Sequence, residues 1–178
     1  MINKKTSEIL EIVDKDNQLT GKTGKRGEIH KKGILHRAVN VFVFGPKGIL
    51  LQKRSAKRYM NPLAWDVSTA EHLKPGETYC QGAARGLKEE LGIDVQPVRI
   101  RGPFLYKHDV PERKLIDREF SELYRADYDG KIKFDKEEVA EARFFDPEEI
   151  KKMIRKNPGQ FTPWFLIDWK YMETMGLV

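Results

Sequence analysis

The sequence predicts an α/β fold with a central mixed sheet, and three stretches of the chain support that prediction. Residues 38–44, AVNVFVF, are rich in β-branched and aromatic side chains, which is typical of a buried strand. Residues 78–91 repeat apolar side chains at helical spacing, and Gly92 follows them as a residue that commonly ends helices. A second helical pattern, rich in aromatic residues, runs from Trp164 to about Met175. Because strands alternate with few helices, we expect helices on both faces of the sheet.

The composition indicates a soluble globular protein with an anionic small-molecule partner. At 178 residues we expect one domain, residues 1–178, with a sizeable core. No apolar run approaches the roughly 20 residues of a membrane span, and the first residues lack a signal-peptide profile. Cys80 is the only cysteine of this sequence, so no internal disulfide can form. We therefore expect a cytoplasmic protein. The net charge of +6 suits an anionic substrate. Basic and aromatic residues are not interleaved, so no specific nucleic-acid partner is expected.

The first part of the chain is predicted to form a β-hairpin followed by a loop. Residues 8–13 alternate as a strand, residues 14–18 have the composition of a turn, and the chain from Leu19 returns as a second strand. Residues 20–32 carry lysines among glycines, and we interpret them as a solvated, mobile loop, with a phosphate-facing flap as the alternative. Residues 49–52 are the expected hairpin partner of the AVNVFVF strand.

The second half of the chain is predicted to alternate between strands and helices. Asp146 can cap a helix whose first residue is Pro147, a favoured position for proline, and Asn157 marks its end. The predicted strands are residues 65–69, 95–106, 115–126 and 141–145, and the predicted helices are residues 147–156 and the C-terminal aromatic stretch.

Residues 71–93, EHLKPGETYCQGAARGLKEELGI, form the most specific pattern in the chain. Glu89 and Glu90 are adjacent near the C-terminal end of the predicted helix, where the helix dipole disfavours anions. Gly82 and Gly86 lie in the helix interior, where each costs about 1 kcal/mol relative to alanine. A helix that gathers carboxylates in an unfavourable field is typical of a divalent-cation site, with a solvated acidic patch as the alternative.

This stretch resembles the Nudix box, G-x5-E-x7-R-E-U-x-E-E-x-G-U, in which U is a bulky aliphatic residue. Two positions differ: Glu71 replaces the leading glycine, and Gly86 replaces a glutamate that binds metal or acts as a base in the family. The resemblance implies a Nudix-like α/β/α sandwich and a hydrolase that uses Mg²⁺ or Mn²⁺. The matching residues are Glu77, Arg85, Leu87, Glu89, Glu90, Gly92 and Ile93.

The Nudix resemblance implies carboxylates that hold a metal and activate water. We expect Glu71, Glu89 and Glu90 to be metal ligands and catalytic residues, with Glu77 as a further ligand or ligand support. We hypothesise that the two exchanged positions are coupled, so that the side chain of Glu71 enters the space vacated at Gly86 and supplies the missing ligand or base. The alternative is a weakened or lost activity, as in a Nudix module that only binds its ligand.

Over most of its length the chain also resembles type 1 isopentenyl-diphosphate isomerases, which share the Nudix fold. The matching pieces are LHRAVNVFVF, EHLKPGE, LIDREF and FTPWF. The catalytic cysteine of those isomerases is Ala70 here, so Glu119 would lack its acid/base partner and we favour a hydrolase. The isomerase metal site, which suits Mn²⁺, Zn²⁺ or Mg²⁺, would consist of His36, His72, Asp117 and Glu119, with His30 one position out of spacing.

A run of cations follows the strand at residues 49–52. We expect Arg54 and Lys57 to hold the phosphates of a substrate, with ordinary surface charge as the alternative. The sequence therefore predicts a metal-dependent hydrolase that cleaves a diphosphate linkage in a nucleoside diphosphate-linked or related small molecule. An isomerase and a binding module are the alternatives. A homodimer is left open, because the N-terminal hairpin and the aromatic C-terminal helix offer surface to bury.

Overall fold

The computed structural model describes residues 7–58 and 60–178, which form a seven-stranded mixed sheet, a separate two-stranded sheet and four α-helices. The strands are β1 (Ile9–Val13), β2 (Leu19–Lys25), β3 (His36–Gly45), β4 (Gly48–Arg54), β5 (Trp65–Asp66), β6 (Thr69–His72), β7 (Val98–Val110), β8 (Leu115–Asp127) and β9 (Val139–Phe145). The helices are α1 (Arg26–Lys32), α2 (Tyr79–Leu91), α3 (Pro147–Lys156) and α4 (Pro163–Thr174).

Strand β3 is the centre of the sheet and pairs with three other strands. It runs parallel to β8, with His36 opposite Glu119, and antiparallel to β4 and β6. Its first half pairs with β6, so that Ala38 lies opposite His72 and Asn40 opposite Ala70. The predicted mixed sheet and the N-terminal hairpin of β1 and β2 are confirmed.

Helices cover both faces of the sheet, as predicted, and alternate residues of β3 contribute to two cores. Phe42 packs with the aromatic side chains of α4 on one face, whereas Val41 and Val43 pack with the apolar stripe of α2 on the other. A strand buried on both faces needs apolar side chains in both directions, which is why the AVNVFVF segment is nearly continuous in apolar residues.

Capping residues define the helix ends, among them the predicted Gly92 and Asp146. Thr78 caps α2 in a capping box with Gln81, and Gly92 ends that helix in the left-handed conformation at φ 67°. Asp146 caps α3 and Thr162 caps α4. In the described part of the chain, none of the helices is both long and apolar enough to span a membrane.

The prediction of a mobile loop at residues 20–32 was wrong. Residues 20–25 continue the hairpin strand, and residues 26–32 form α1. Ile29 and His30 of this helix are buried, although the surrounding lysines and glycines suggested solvent exposure. Two further boundaries differ: the strand predicted at residues 65–69 is split between β5 and β6, and β7 extends to Val110.

Candidate functional site

A pocket lies where α1, β3, β6 and β8 meet. Its walls combine imidazoles, carboxylates and guanidinium groups with the indole of Trp164 from α4. Ala70 lines the same pocket from β6. Charged side chains from separate parts of the chain therefore face one pocket, which is typical of a binding site for an ionic ligand.

Five residues of this pocket region form a group that we call the histidine cluster: His30, His36, His72, Asp117 and Glu119. The Nε2 atoms of His30 and His36 lie 3.2 Å apart, and the three imidazole centroids are 4.9 to 5.1 Å from one another. Asp117 Oδ1 lies 3.7 Å from His36 Nε2, and Glu119 Oε2 lies 3.5 Å from His72 Nε2. The structure thus brings together all five residues that the isomerase resemblance suggested.

Burial controls the protonation of the histidine cluster. It lowers the pKa of His30 to about 2 and that of His36 to about 4, so both imidazoles are neutral at pH 7. Burial also raises the pKa of Asp117 to about 6, and burial together with the charge of Asp117 raises the pKa of Glu119. Neutral imidazoles have free lone pairs, and buried carboxyl groups need a nearby positive charge to ionise. A bound cation would use both kinds of group as ligands.

The orientation of His36 tests whether these residues fit a metal ion. Its Nδ1 lies 3.0 Å from the carbonyl oxygen of Ile34, which accepts a hydrogen bond from an Nδ1–H and leaves the Nε2 lone pair directed at the cluster. The buried Oδ1 of Asp117 accepts no hydrogen bond from the residues that the structure describes. Ligand atoms of the three imidazoles lie within 4.8 Å of one another, as do those of His36, Asp117 and Glu119. This nitrogen and oxygen donor set fits a divalent cation that accepts imidazole ligands.

A second group, which we call the acidic cluster, consists of Glu71, Glu90 and Glu138. Oxygen atoms of these three side chains lie within 4.8 Å of one another. Glu90 is buried, and its Oε2 accepts hydrogen bonds from Gln52 Nε2 at 3.1 Å and from Thr69 Oγ1 at 2.8 Å. Two of the expected Nudix carboxylates, Glu71 and Glu90, therefore meet here, and Glu138 joins them from the segment before β9.

The two exchanged positions of the Nudix-like box are in direct contact. A Cβ atom added at Gly86 would lie 2.9 Å from Glu71 Cγ and 2.9 Å from Thr69 Oγ1. The side chain of Glu71 thus occupies space that a larger residue at position 86 would need. This is the geometry that the coupled-exchange hypothesis requires, whereas the role of Glu71 as ligand or base stays a prediction.

Glu77 and Glu89 do not line the pocket; both are held by Arg85. Arg85 Nε donates to Glu77 Oε1 at 2.7 Å, and Arg85 Nη1 lies 3.2 Å from Glu89 Oε2 and 2.8 Å from Glu71 Oε2. Glu77 also accepts a hydrogen bond from the backbone N–H of Lys74. The side chain of Glu89 is 53% exposed, which separates it from the buried Glu90. Arg85 therefore organises the loop before α2, and the expected metal roles of Glu77 and Glu89 stay predictions.

The two residues predicted to hold phosphate are placed differently. Arg54 is buried in the pocket wall, donates from Nη1 to Asp66 Oδ2 at 2.7 Å, and lies with its guanidinium carbon 5.2 Å from the ring centroid of Trp164. Burial lowers the pKa of Arg54 to about 10, so its guanidinium remains charged at neutral pH. Lys57 is exposed and pairs with Glu137 at 2.7 Å, outside the pocket lining.

Sequence reasoning missed three residues of the region. Arg26 and Arg58 both line the pocket, yet Arg26 was assigned to a loop and Arg58 was not distinguished from its cationic neighbours. Tyr106 lies opposite Glu119 in the pairing of β7 with β8, and its buried hydroxyl has no hydrogen-bond partner among residues 7–58 and 60–178. Burial and the charge of Glu119 raise the pKa of Tyr106. No local sequence signal marks Tyr106, because its position follows from strand register.

Comparison with known proteins identifies the class of protein. A model of the NUDIX domain matches residues 34–165, and the chain belongs to the Nudix family. It is 35% identical over 159 residues to isopentenyl-diphosphate Delta-isomerase 2 of Photorhabdus laumondii, covering 89% of this chain and 88% of the relative. It is 33% identical over 162 residues to an uncharacterised Nudix hydrolase of Listeria monocytogenes, covering 89% of this chain and 90% of the relative.

Solved structures agree with this family at the level of the fold. A crystal structure of a Deinococcus radiodurans protein has a TM-score of 0.65 at 21% identity, covering 84% of this chain and 90% of that one. A MutT protein from Methanosarcina mazei has a TM-score of 0.64 at 20% identity, covering 80% of this chain and 95% of that one. The predicted α/β/α architecture of the Nudix family is therefore confirmed.

Proposed function

We propose that the protein is a metal-dependent hydrolase that cleaves a diphosphate linkage in a nucleoside diphosphate-linked or related small molecule. The observation that carries the proposal is that every member of the histidine cluster except His36 lines one pocket together with the guanidinium groups of Arg26 and Arg54. Three imidazoles and two carboxyl groups supply a site for Mg²⁺ or Mn²⁺, and the guanidinium groups supply positive charge for phosphate oxygens.

The pocket residues have distinct roles in this reaction. A divalent cation bound at the histidine cluster would neutralise phosphate charge and lower the pKa of a bound water. Water adds to one phosphorus atom, the bridging phosphorus–oxygen bond breaks, and Glu119 takes up the proton that the water releases. Arg54, anchored by Asp66, orients the diphosphate.

Ala70 favours hydrolysis over isomerisation of an alkene. Isomerisation requires one group that adds a proton to the double bond and another that removes a proton. Ala70 lines the pocket opposite Asn40 in the β3–β6 pairing, and its methyl group can do neither. An isomerase is nevertheless the second candidate, because the histidine cluster matches the isomerase-like donor set and the relatives named as isomerases cover 89% of this chain.

A substrate screen in which the products are separated by anion-exchange chromatography tests the hydrolase proposal. The purified protein is incubated with nucleotide sugars, dinucleoside polyphosphates and nucleoside triphosphates, each with Mg²⁺ and with Mn²⁺. We expect cation-dependent cleavage of at least one class, a strong loss in Glu119→Gln, and little change in the matched control Glu149→Gln, whose side chain is exposed and lies outside the pocket. Turnover that is equal in Glu119→Gln and the unaltered protein would contradict the proposed base.

Deuterium exchange separates the two enzymatic candidates. Isopentenyl diphosphate is incubated with the protein in deuterated water, and incorporation is followed by NMR. A hydrolase leaves the substrate carbons unlabelled, whereas an isomerase labels them and forms dimethylallyl diphosphate. Cation-dependent binding of a screened nucleotide without turnover of any substrate would instead support the binding module.

A further inference from the structure

Arg58 lies against the acidic cluster. Its Nη1 lies 2.8 Å from Glu138 Oε2, and its Nη2 lies 3.7 Å from Glu90 Oε1. Only 10% of the Arg58 side chain is exposed to solvent. Burial alone would lower the pKa of Arg58, but the charges of Glu90, Glu138 and Glu71 outweigh that effect and raise it. The guanidinium is therefore a permanent positive charge beside three carboxylates.

The chain around Arg58 holds the guanidinium in this position. The backbone N–H of Arg58 donates to the carbonyl oxygen of Ser55 at 3.1 Å, which closes a tight turn after β4. The backbone N–H of Ser55 in turn donates to the carbonyl oxygen of Glu138 at 2.9 Å. Glu138 therefore contacts this turn through its backbone carbonyl and Arg58 through its carboxylate. Backbone and side-chain contacts together fix the position of Arg58.

The charges of the acidic cluster already have cationic partners from the protein. Glu71 pairs with Arg85 at 2.8 Å, and Arg58 contacts the other two carboxylates. A divalent cation entering between these oxygens would lie beside a buried guanidinium, and like charges repel strongly where water is excluded. It could gain the carboxylates only by displacing Arg58.

The histidine cluster differs in this respect. Within the described ranges, 7–58 and 60–178, the carboxylates of Asp117 and Glu119 form ion pairs only with histidines of the same cluster. Within the same ranges no lysine or arginine forms an ion pair with either carboxylate, although the guanidinium of Arg26 lines the same pocket.

We infer that Arg58 takes the place of a metal ion in the acidic cluster, so that this Nudix chain binds no divalent cation between Glu71, Glu90 and Glu138. The carboxylates that the Nudix-like helix contributes are then structural partners of Arg58 and Arg85. The inference concerns where cations bind and does not depend on which reaction the protein catalyses.

Counting bound Mn²⁺ tests the inference. Calorimetric titration and electron paramagnetic resonance of the whole chain give the number of ions bound to the unaltered protein, to Arg58→Met and to Arg58→Lys. Methionine keeps the length and apolar contacts of the side chain but removes its charge, whereas lysine keeps the charge. We expect Arg58→Met to bind one more ion than the unaltered protein, and Arg58→Lys to bind the same number. Equal counts in Arg58→Met and the unaltered protein would overturn the inference.

A second variant keeps the test decisive if Arg58→Met does not fold. Glu138→Gln removes one carboxylate of the acidic cluster while Arg58 remains in place, and we expect the Mn²⁺ count to be unchanged. A count that falls by one in Glu138→Gln would show that the acidic cluster holds a metal and would overturn the inference. The outcome is separable from the proposed function, because loss of the ion at the histidine cluster lowers the count of every variant equally.

Discussion

The histidine cluster and the acidic cluster lie on neighbouring residues of the same short strand, yet the protein treats their charges differently. His72 and Glu71 are consecutive in β6, and successive side chains of a strand point to opposite faces. On the Glu71 side, Arg58 and Arg85 neutralise the carboxylates. On the His72 side, the three imidazoles lie beside the carboxyl groups of Asp117 and Glu119, and no lysine or arginine in residues 7–58 and 60–178 forms an ion pair with them. The two clusters therefore differ in the positive charge that the protein itself places against their carboxylates.

This comparison separates two clusters that look alike in a simple count of carboxylates. Both bury acidic groups, and both have ligand atoms within 4.8 Å of one another. What distinguishes them is the charge supplied by other elements, in particular the turn that ends at Arg58. A buried acidic cluster in a Nudix-like fold therefore indicates a metal site only after the arginine and lysine side chains that pack against it have been taken into account.

The largest expected effect comes from removing a ligand of the histidine cluster. His36→Gln removes the Nε2 atom that lies nearest to His30, and His36 is completely buried. We expect Mn²⁺ affinity to fall by about 100-fold or more, with activity falling in parallel. Calorimetric titration measures the affinity, and His108→Gln, a histidine outside the cluster, is the matched control. An unchanged Mn²⁺ affinity in His36→Gln would show that the metal does not bind at the histidine cluster.

The acidic cluster should instead affect stability. Glu90→Gln leaves the buried guanidinium of Arg58 without one of its carboxylate partners, and we expect the free energy of unfolding to fall by about 2 kcal/mol. Urea denaturation measures the change. The neighbouring variant Glu89→Gln, at an exposed position, should change stability by less than about 0.5 kcal/mol. If Glu90→Gln lost all Mn²⁺ binding while its stability stayed unchanged, the acidic cluster and not the histidine cluster would be the metal site.

The neutral imidazoles of the histidine cluster predict a pH dependence in the metal-free protein. Burial lowers the pKa of His30 from its ordinary 6.5 to about 2. As the pH falls below about 6.5, the unfolded chain binds a proton at this residue while the folded protein does not. The stabilising contribution is therefore complete above pH 6.5 and is lost below it, by about 1.4 kcal/mol per pH unit.

Denaturation at pH 6 and pH 5 isolates the contribution of His30 when the unaltered protein is compared with His30→Gln. Because the raised pKa of Asp117 gives an opposite slope in both proteins, only their difference is informative. We expect the unaltered protein to lose about 1.4 kcal/mol more than the variant over that unit. Parallel pH profiles would show that His30 is not held neutral.

The smallest expected effect concerns the two exchanged box positions. Alanine usually stabilises a helix interior relative to glycine by about 1 kcal/mol. Gly86→Ala should instead be destabilising, because its Cβ would lie 2.9 Å from Glu71 Cγ. In the Glu71→Gly background that contact is absent, and we expect a coupling energy of about 1 kcal/mol between the two changes.

A double-mutant cycle measured by urea denaturation gives this coupling energy. Gly82→Ala is the matched control, because a Cβ added there would approach Leu73 and Val39 and not Glu71. Its effect should be the same in both backgrounds. Additive effects of Gly86→Ala and Glu71→Gly would reject the coupling between the two exchanged positions.

Local features of the fold could be predicted from the sequence. Asp146 and Gly92 act on backbone groups within a few residues, so the start of α3 and the end of α2 followed from them. The resemblance to known isomerases also named all the members of the histidine cluster. It did not explain how His30 reaches the others, since that residue was assigned to a loop and lies on α1.

The phosphate-binding prediction shows where sequence reasoning stops. Arg54, Lys57 and Arg58 lie within one short basic run, and their residue types do not distinguish them. The structure buries Arg54 and Arg58, whereas Lys57 pairs with Glu137 in solvent. The tight turn from Ser55 decides which side chains enter the pocket, and no property of the basic run itself indicates that direction.

Neighbouring residues or a periodic pattern set several helix ends, the two-sided burial of β3 and the Nudix-like box, so these features could be recognised in the chain alone. The contact of Arg58 with Glu138, a residue 80 positions away, and the position of Glu71 beside Gly86 follow only from the folded arrangement. Such contacts depend on strand register and on turns from separate parts of the chain. The carboxylates of the 71–93 stretch could therefore be recognised from the sequence, but the cation beside them could not.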